Sequence, residues 1–176
     1  AQDWWWCKMA VTIDGTTGVS LVQDGAITDA NLPVDSVLQF VQVVSTTTAT
    51  NTTTTYADAG LSGSITPSST SSKILILISQ NIYVDSQTIN SGTGLRLLRG
   101  STVIHGGVGR YEQFLSTGNS SRAQLYNRIP LIYLDSPATT SSVTYKTQIA
   151  SDGAGETTTG QKDGFESTMT LMEIAG

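Results

Sequence analysis

The hydrophobic positions of this chain fall in short β-branched runs, set apart by Ser, Thr and Gly. The clearest are Lys73–Ser79 (KILILIS), Val143–Ile149 (VTYKTQI) and Thr168–Ile174 (TMTLMEI). Branched side chains suit a pleated surface, so such runs predict strands. No segment of helical length sustains a 3.6-residue period, which predicts little helix. Strands are expected near 37–48, 53–59, 61–66, 72–84, 94–104, 110–115, 122–134, 143–150 and 167–175. Turn signals separate them, among them Thr66-Pro67-Ser68, Gly106-Gly107 and Ser151-Asp152-Gly153. The expected fold is all-β: an antiparallel β-sandwich or jelly-roll head over residues 37–176. Residues 1–36 hold no long periodic run and are punctuated by Gly15, Gly18, Gly25 and Pro33. They read as an extended N-terminal arm.

The faces of the strands say more than their number. Val143, Tyr145, Thr147 and Ile149 alternate with polar neighbours, as one buried and one wet face require. The runs Ile74–Ile78 and Val37–Val44 are apolar, or nearly so, on both faces. One face meets the core, and the other needs a cover. A sister subunit supplies one, with Val37, Phe40, Val43, Ile74, Ile76 and Ile78 as candidate interface residues. A loop, or the arm, is the alternative cover.

Composition narrows the chemistry. The 176 residues include 27 Thr and 21 Ser, while charged residues are 13%, about half the ~25% usual in soluble domains. The solvated surface must then be largely neutral. A net charge of -5 and scattered basic residues argue against nucleic acid as partner. The single cysteine, Cys7, excludes an intrachain disulfide and a cysteine zinc site. No apolar stretch reaches the ~20 residues of a membrane helix, so membrane insertion is not expected. Residues 1–8 lack the features of a signal peptide, and Met9 resembles a natural start.

Catalytic constellations are absent from the pattern. His105, beside Gly106-Gly107, has no neighbouring set of ligands or orienting groups and reads as a loop or interface histidine. Asp85, Glu112, Asp135, Asp152 and Glu156 are the carboxylates a glycosidase pair would draw on, but Asp135-Ser136-Pro137 and Ser151-Asp152-Gly153 are ordinary turn chemistry. Arg96, Arg99, Arg110, Arg122 and Arg128 suit interfaces and strand-edge protection equally. No cofactor, metal or enzymatic activity is expected. Tyr111 and Tyr126 with Asn127 form a candidate glycan site, combining aromatic platforms with an amide; Tyr is equally good core.

Several segments resemble, in order, the β-rich C-terminal domain of tailed-bacteriophage fibre proteins. They are Ser68–Leu75 (SSTSSKIL), Gly94–Ile104 (GLRLLRGSTVI), Tyr133–Thr140 (YLDSPATT), Val143–Gln148 (VTYKTQ) and Thr170–Ile174 (TLMEI). Met9–Gly18 resembles the opening of such proteins, and Asp24–Leu32 a motif repeated along fibre stems. The resemblance implies a virion-surface protein, assembled in the bacterial cytoplasm: a homotrimer whose arm docks to capsid or tail. With one stem-like unit and no long shaft, it points to a short fibre or capsid decoration protein. Receptor binding to host-surface glycan at a fibre tip is the alternative it implies. Trp4, Trp5, Trp6, Val11, Ile13, Ile27 and Leu32 are the candidate docking residues of the arm, because clustered aromatic and aliphatic side chains supply much of an interface's energy.

Overall fold

The computed structural model describes residues 32–87, 90–106, 112–115, 122–153 and 155–176. The chain divides into two units, Ala1–Leu32 and Pro33–Gly176, and every described strand belongs to the second. Eleven strands run in chain order: β1 (Val37–Ser45), β2 (Ala49–Asn51), β3 (Ala57–Ile65), β4 (Lys73–Ser86), β5 (Asn90–Arg99), β6 (Thr102–His105), β7 (Glu112–Leu115), β8 (Ala123–Asp135), β9 (Val143–Ser151), β10 (Glu156–Gly160) and β11 (Ser167–Ile174). Their pairings are antiparallel. They build two sheets packed as a sandwich. Among the described residues there is no α-helix, only a 3-10 turn at Lys162–Gly164.

Strand β4 organises the first sheet. Along one edge it pairs with β8 from Ile74↔Asp135 to Ser86↔Ala123. Its other edge is shared. Residues Lys73–Ser79 pair with β11, and Ile82–Ser86 pair with β10. Strands β10 and β11 therefore run in one direction along a single line, interrupted where residues 161–166 leave the sheet and return. One strand further out, β1 beside β11 and β2 beside β10 repeat the arrangement. The second sheet has the order β3-β9-β5-β6, with β7 also beside β5.

Period-two alternation settles which side chains make the core. Ile74, Ile76, Ile78, Ile82 and Val84 of β4 point inward with Ile129 and Leu131 of β8 and Met169 and Leu171 of β11. They meet Leu61, Ile65, Leu95, Leu97, Tyr145 and Ile149 of the second sheet. Removing each such side chain from water contributes about 1.5–3 kcal/mol. Ile74, Ile76 and Ile78 are buried, which closes them to any second subunit and corrects their assignment as interface residues. Their run is uniformly apolar, but Lys73 and Ser79 share the parity of Leu75 and Leu77, and it is that parity which faces out. Val43 also turns inward, its Cγ2 close over Gly63.

Several strand boundaries differ from those expected. The segments 53–59 and 61–66 are joined in one strand, β3, which begins only at Ala57 and carries a register shift between Asp58 and Ser62. Gly60 sits in that irregularity at φ 75, and a Cβ there would lie 2.8 Å from the carbonyl oxygen of Thr47, so only glycine fits without strain. The stretch 94–104 is broken by a turn at Gly100, φ 59. Strand β10, Glu-Thr-Thr-Thr-Gly, carries no apolar side chain to reveal it.

The core also holds polar groups, each tied down. Gln80, fully buried, accepts from Thr147 Oγ1 (2.8 Å) and donates to Ser167 Oγ (3.1 Å). Gln161, oriented with Nε2 donating to the carbonyls of Ala59 (2.8 Å) and Thr47 (3.0 Å), accepts from Gln80 Nε2 at 2.7 Å. This network fills the junction where β10 gives way to β11. Asp135 accepts from Arg99 Nη1 (2.9 Å) and Tyr145 Oη (2.7 Å), which ties β8 to the second sheet; burial, then this bond, raises the Tyr145 pKa.

Four described carboxyls, Asp58, Asp85, Asp163 and Glu173, lie below their ordinary range and couple the fold to pH. Burial pushes Glu173 up, but hydrogen bonds from Gln39 Nε2 (2.5 Å), Ser68 N (2.7 Å) and Ser68 Oγ (2.7 Å) outweigh it and leave its pKa below the ordinary 4.5. Asp85 is lowered from 3.8 to about 2, chiefly by its hydrogen bonds from Arg122. A carboxyl lowered by folding stabilises the native state above its unfolded pKa, and that contribution fades as pH falls through the folded one. Stability should therefore decline on acidification from roughly pH 4.5 toward pH 2, and Glu173→Gln should flatten the decline. Urea midpoints measured across that range check this; a wild-type midpoint that does not move would contradict it.

Candidate functional site: the outer face of the β4–β8 sheet

Opposite the core, the first sheet presents a face in register. Across β1, β11, β4 and β8 the outward side chains form the rows Phe40–Met172–Leu75–Leu134, Gln42–Thr170–Leu77–Ile132 and Val44–Thr168–Ser79–Pro130. None of these twelve positions is charged. Phe40 (56%), Ile132 (68%) and Leu134 (51%) are strongly exposed for their size, and Val44 is exposed beside them. Leu75, Leu77 and Met172 are half-buried by their neighbours alone. The largest apolar patch on a monomer is often a functional one. Of the expected interface residues, Phe40 belongs to it, and Val37 stands exposed at the start of β1. Leu75, Leu77, Ile132, Leu134 and Met172 join them; Leu75 and Leu77 belong to the run expected to need a cover, whereas Ile132, Leu134 and Met172 carried no such signal.

Its extent is informative. Four strands at about 4.8 Å spacing, over the five residues Leu75–Ser79 rising about 3.3 Å each, give a face on the order of 300 Å². One partner in a standard protein interface contributes about 800 Å², so these rows supply less than half of such a contact.

Towards the other end of β4 the same face becomes polar and concave. Residues 161–166, extruded between β10 and β11, lie beside β8 there, held by a hydrogen bond from Tyr126 Oη to Asp163 Oδ2 (2.9 Å). Between loop and strands is a groove of about 550 Å³, lined by Asn81, Tyr126, Asn127, Arg128, Asp163 and Phe165. Tyr126 (52% exposed) lies 4.5 Å, ring to ring, from the more buried Tyr83, and Phe165 (53% exposed) meets Tyr126 nearly edge-on at 6.4 Å. Two aromatic faces therefore remain open to solvent at the groove.

Polar groups surround them. Lys162 Nζ lies 3.1 Å from Asp163 Oδ1. Hydrogen bonds from Lys162 and Tyr126 hold Asp163 below the ordinary carboxylate range, and the Tyr126 hydroxyl is raised in return. Arg128 Nη1 contacts Ser79 Oγ at 3.4 Å, and Asn127 Oδ1 accepts from the Arg128 backbone N–H. Asn81 is only 7% exposed, and its Oδ1 has no hydrogen-bond partner. Beyond the groove, Asp85 accepts from Arg122, Gln124 and Tyr83, and Gln124 Nε2 also donates to the Tyr83 hydroxyl (2.5 Å).

Of the residues expected in a glycan site, Tyr126 and Asn127 meet at this groove; Tyr111 lies outside the described residues. So do the docking candidates Trp4, Trp5, Trp6, Val11, Ile13 and Ile27, while Leu32, at the edge of the described chain, is exposed. Asn81, Asp163 and Phe165 come from distant segments, and nothing in their spacing brings them together.

Three of the five carboxylates weighed for catalysis serve separate structural roles, and the side chain of Glu112 lies outside the described residues. Asp85 binds Arg122 and Asp135 binds Arg99. Glu156 accepts from the backbone of Asp152 and Gly153 in its own turn. His105 lies in β6 with its ring 5.3 Å from that of Tyr133. Among the described residues, no three His, Cys, Asp or Glu side chains cluster closely enough to hold a metal ion. Arg96 stacks on Tyr56, 4.1 Å from the ring centre, and binds Gln148, so it too is committed.

No family model and no curated protein sequence matches the chain. Solved structures resembling it include a chain in the structure of infectious bursal disease virus Gx strain, 11% identical with a TM-score of 0.37. That likeness covers 81% of this chain and 33% of the other. Another is dimeric latent PorU from Porphyromonas gingivalis, 11% identical with a TM-score of 0.33, covering 85% of this chain and 14% of that one. The chain thus spans a third or less of either structure. Similarity at this level carries no functional argument.

Proposed function

We propose that this chain is a non-enzymatic structural protein of a bacteriophage virion. In this reading it is a short fibre or capsid decoration protein, anchored to tail or capsid by its N-terminal arm, residues 1–36. Its head self-associates as a homotrimer. The observation that carries the self-association is the uncharged apolar outer face of the β4–β8 sheet. A second copy is the natural occupant. The protein's net charge is -5, so two copies repel in general, yet these rows can meet without a like-charge penalty or a buried unpaired ion. Hydrophobic burial then drives assembly, while the Ser/Thr-rich remainder stays hydrated. The ordered fibre-like segments support the virion assignment, and they fall on or beside β4, β5, β6, β8, β9 and β11.

Sedimentation of the full chain should give three times the protomer mass of 18.6 kDa, and antibodies raised against the head should decorate intact particles. A stable monomer would overturn the self-association. Particles that never bind the antibody would overturn the virion role.

A further inference from the structure

We propose that the groove between β8 and residues 161–166 is a carbohydrate-binding site that takes one pyranose ring against Tyr126 and Phe165. Such a site goes beyond the structural role and stands independently of it.

The groove selects its ligand by what it offers and what it lacks. Two exposed aromatic faces invite a ligand with an apolar face of its own, and a pyranose presents one through its axial C–H bonds. The rim supplies hydrogen-bonding groups of both kinds: donors on Arg128 and an acceptor on Asp163. A mostly apolar wall with a few convergent polar groups is the usual make-up of a small-molecule site.

Asn81 is the most telling member. It lines the groove, is more than nine-tenths buried, and has an amide oxygen with no partner. Leaving such a group unpaired is costly. The oxygen is closed off from the groove as it stands; a half-turn of the amide, which exchanges donor and acceptor ends, brings it to a ligand hydroxyl.

A carboxylate at the rim argues against an anion. Asp163 is paired with Lys162 and shares the groove wall with Arg128, so phosphate or sulfate would meet its negative charge. A purely apolar ligand would leave Asn81 and Asp163 desolvated and unpaired. A neutral polyol with one apolar face meets both demands.

The site is also pre-formed. Gln161 and Ser167, at the two roots of the loop, are fixed by the buried network around Gln80, and Tyr126 clasps Asp163 at its tip. Little ordering entropy then opposes binding.

The test is saturation-transfer NMR on the full chain with D-glucose, D-galactose, N-acetylglucosamine and L-rhamnose, followed by titration of the best responder. At least one sugar should bind with millimolar affinity and receive saturation at its ring C–H protons. Tyr126→Ala and Phe165→Ala should each weaken it at least tenfold while leaving the sedimentation mass unchanged. Asn81→Asp, which keeps the shape but removes the donor end, should weaken it comparably; Phe165→Ala, at an exposed loop position, keeps the test valid if a change at buried Asn81 impairs folding. Absence of binding by all four sugars would overturn the proposal. So would binding indifferent to Tyr126→Ala and Phe165→Ala. A change of sedimentation mass in these variants would overturn it too, by reassigning the aromatics to the subunit contact.

Discussion

Ile132→Asp should convert the associated head to monomers without unfolding it. Ile132 is 68% exposed in the isolated protomer, so a carboxylate there stays hydrated and costs the monomer little. In a contact between copies it would be buried without a partner. Desolvation of an unpaired charge outweighs the Coulomb gains open to it, and a penalty of about 3 kcal/mol weakens association more than a hundredfold. Ile76→Asp is the contrasting change. Its side chain is fully buried between the sheets, and the same carboxylate there should prevent folding altogether. Sedimentation velocity and circular dichroism on the two variants separate the outcomes. An Ile132→Asp protein that keeps the wild-type mass would show that copies meet elsewhere.

The second large effect concerns Gln80. Replacing it with Leu keeps much of the volume but strands the Thr147 hydroxyl and removes the donor reaching Gln161 Oε1 and Ser167 Oγ. At about 1–3 kcal/mol for each unsatisfied buried group, the loss should be around 3 kcal/mol. For a domain of this size that lowers Tm by roughly 6–12 °C. Adding Thr147→Val should recover part of it, since the second change removes a group the first left unpaired. Thermal unfolding of the single and double variants measures both. A double variant no more stable than Gln80→Leu would mean that the amide matters through packing alone.

Residue patterns and the folded chain agree where alternation is strong. Strands β4, β8, β9 and β11 could be placed because branched residues recur in them at short range, and their antiparallel stacking in a sandwich follows from short turns between them. Strand β10 could not, because Glu156–Gly160 is recruited by its neighbours and has no apolar signature of its own. The apolar second face was legible as a need for a cover, but its members were not. In a run of alternating Ile and Leu, hydropathy has no period, and the polar flanks do not decide the parity: Lys73 and Ser79 face out, whereas Ser72 and Gln80, on the other parity, are buried. The groove was hidden for another reason. Tyr126 and Asn127 are neighbours in sequence, whereas Asn81, Asp163 and Phe165 join them through strand register and an extruded loop. No local rule encodes either.

That extrusion has a consequence for how the protein can change. The chain leaves the sheet at Gly160 and rejoins it at Ser167 along one line beside β4, so the scaffold on both sides is indexed by β4 and is indifferent to the length of the excursion. Residues can be gained or lost between Gln161 and Ser167 without sliding any strand against its partner. Recognition at the groove's lip is thereby uncoupled from the register of the sandwich, and a lineage can vary what it touches while keeping what holds it together.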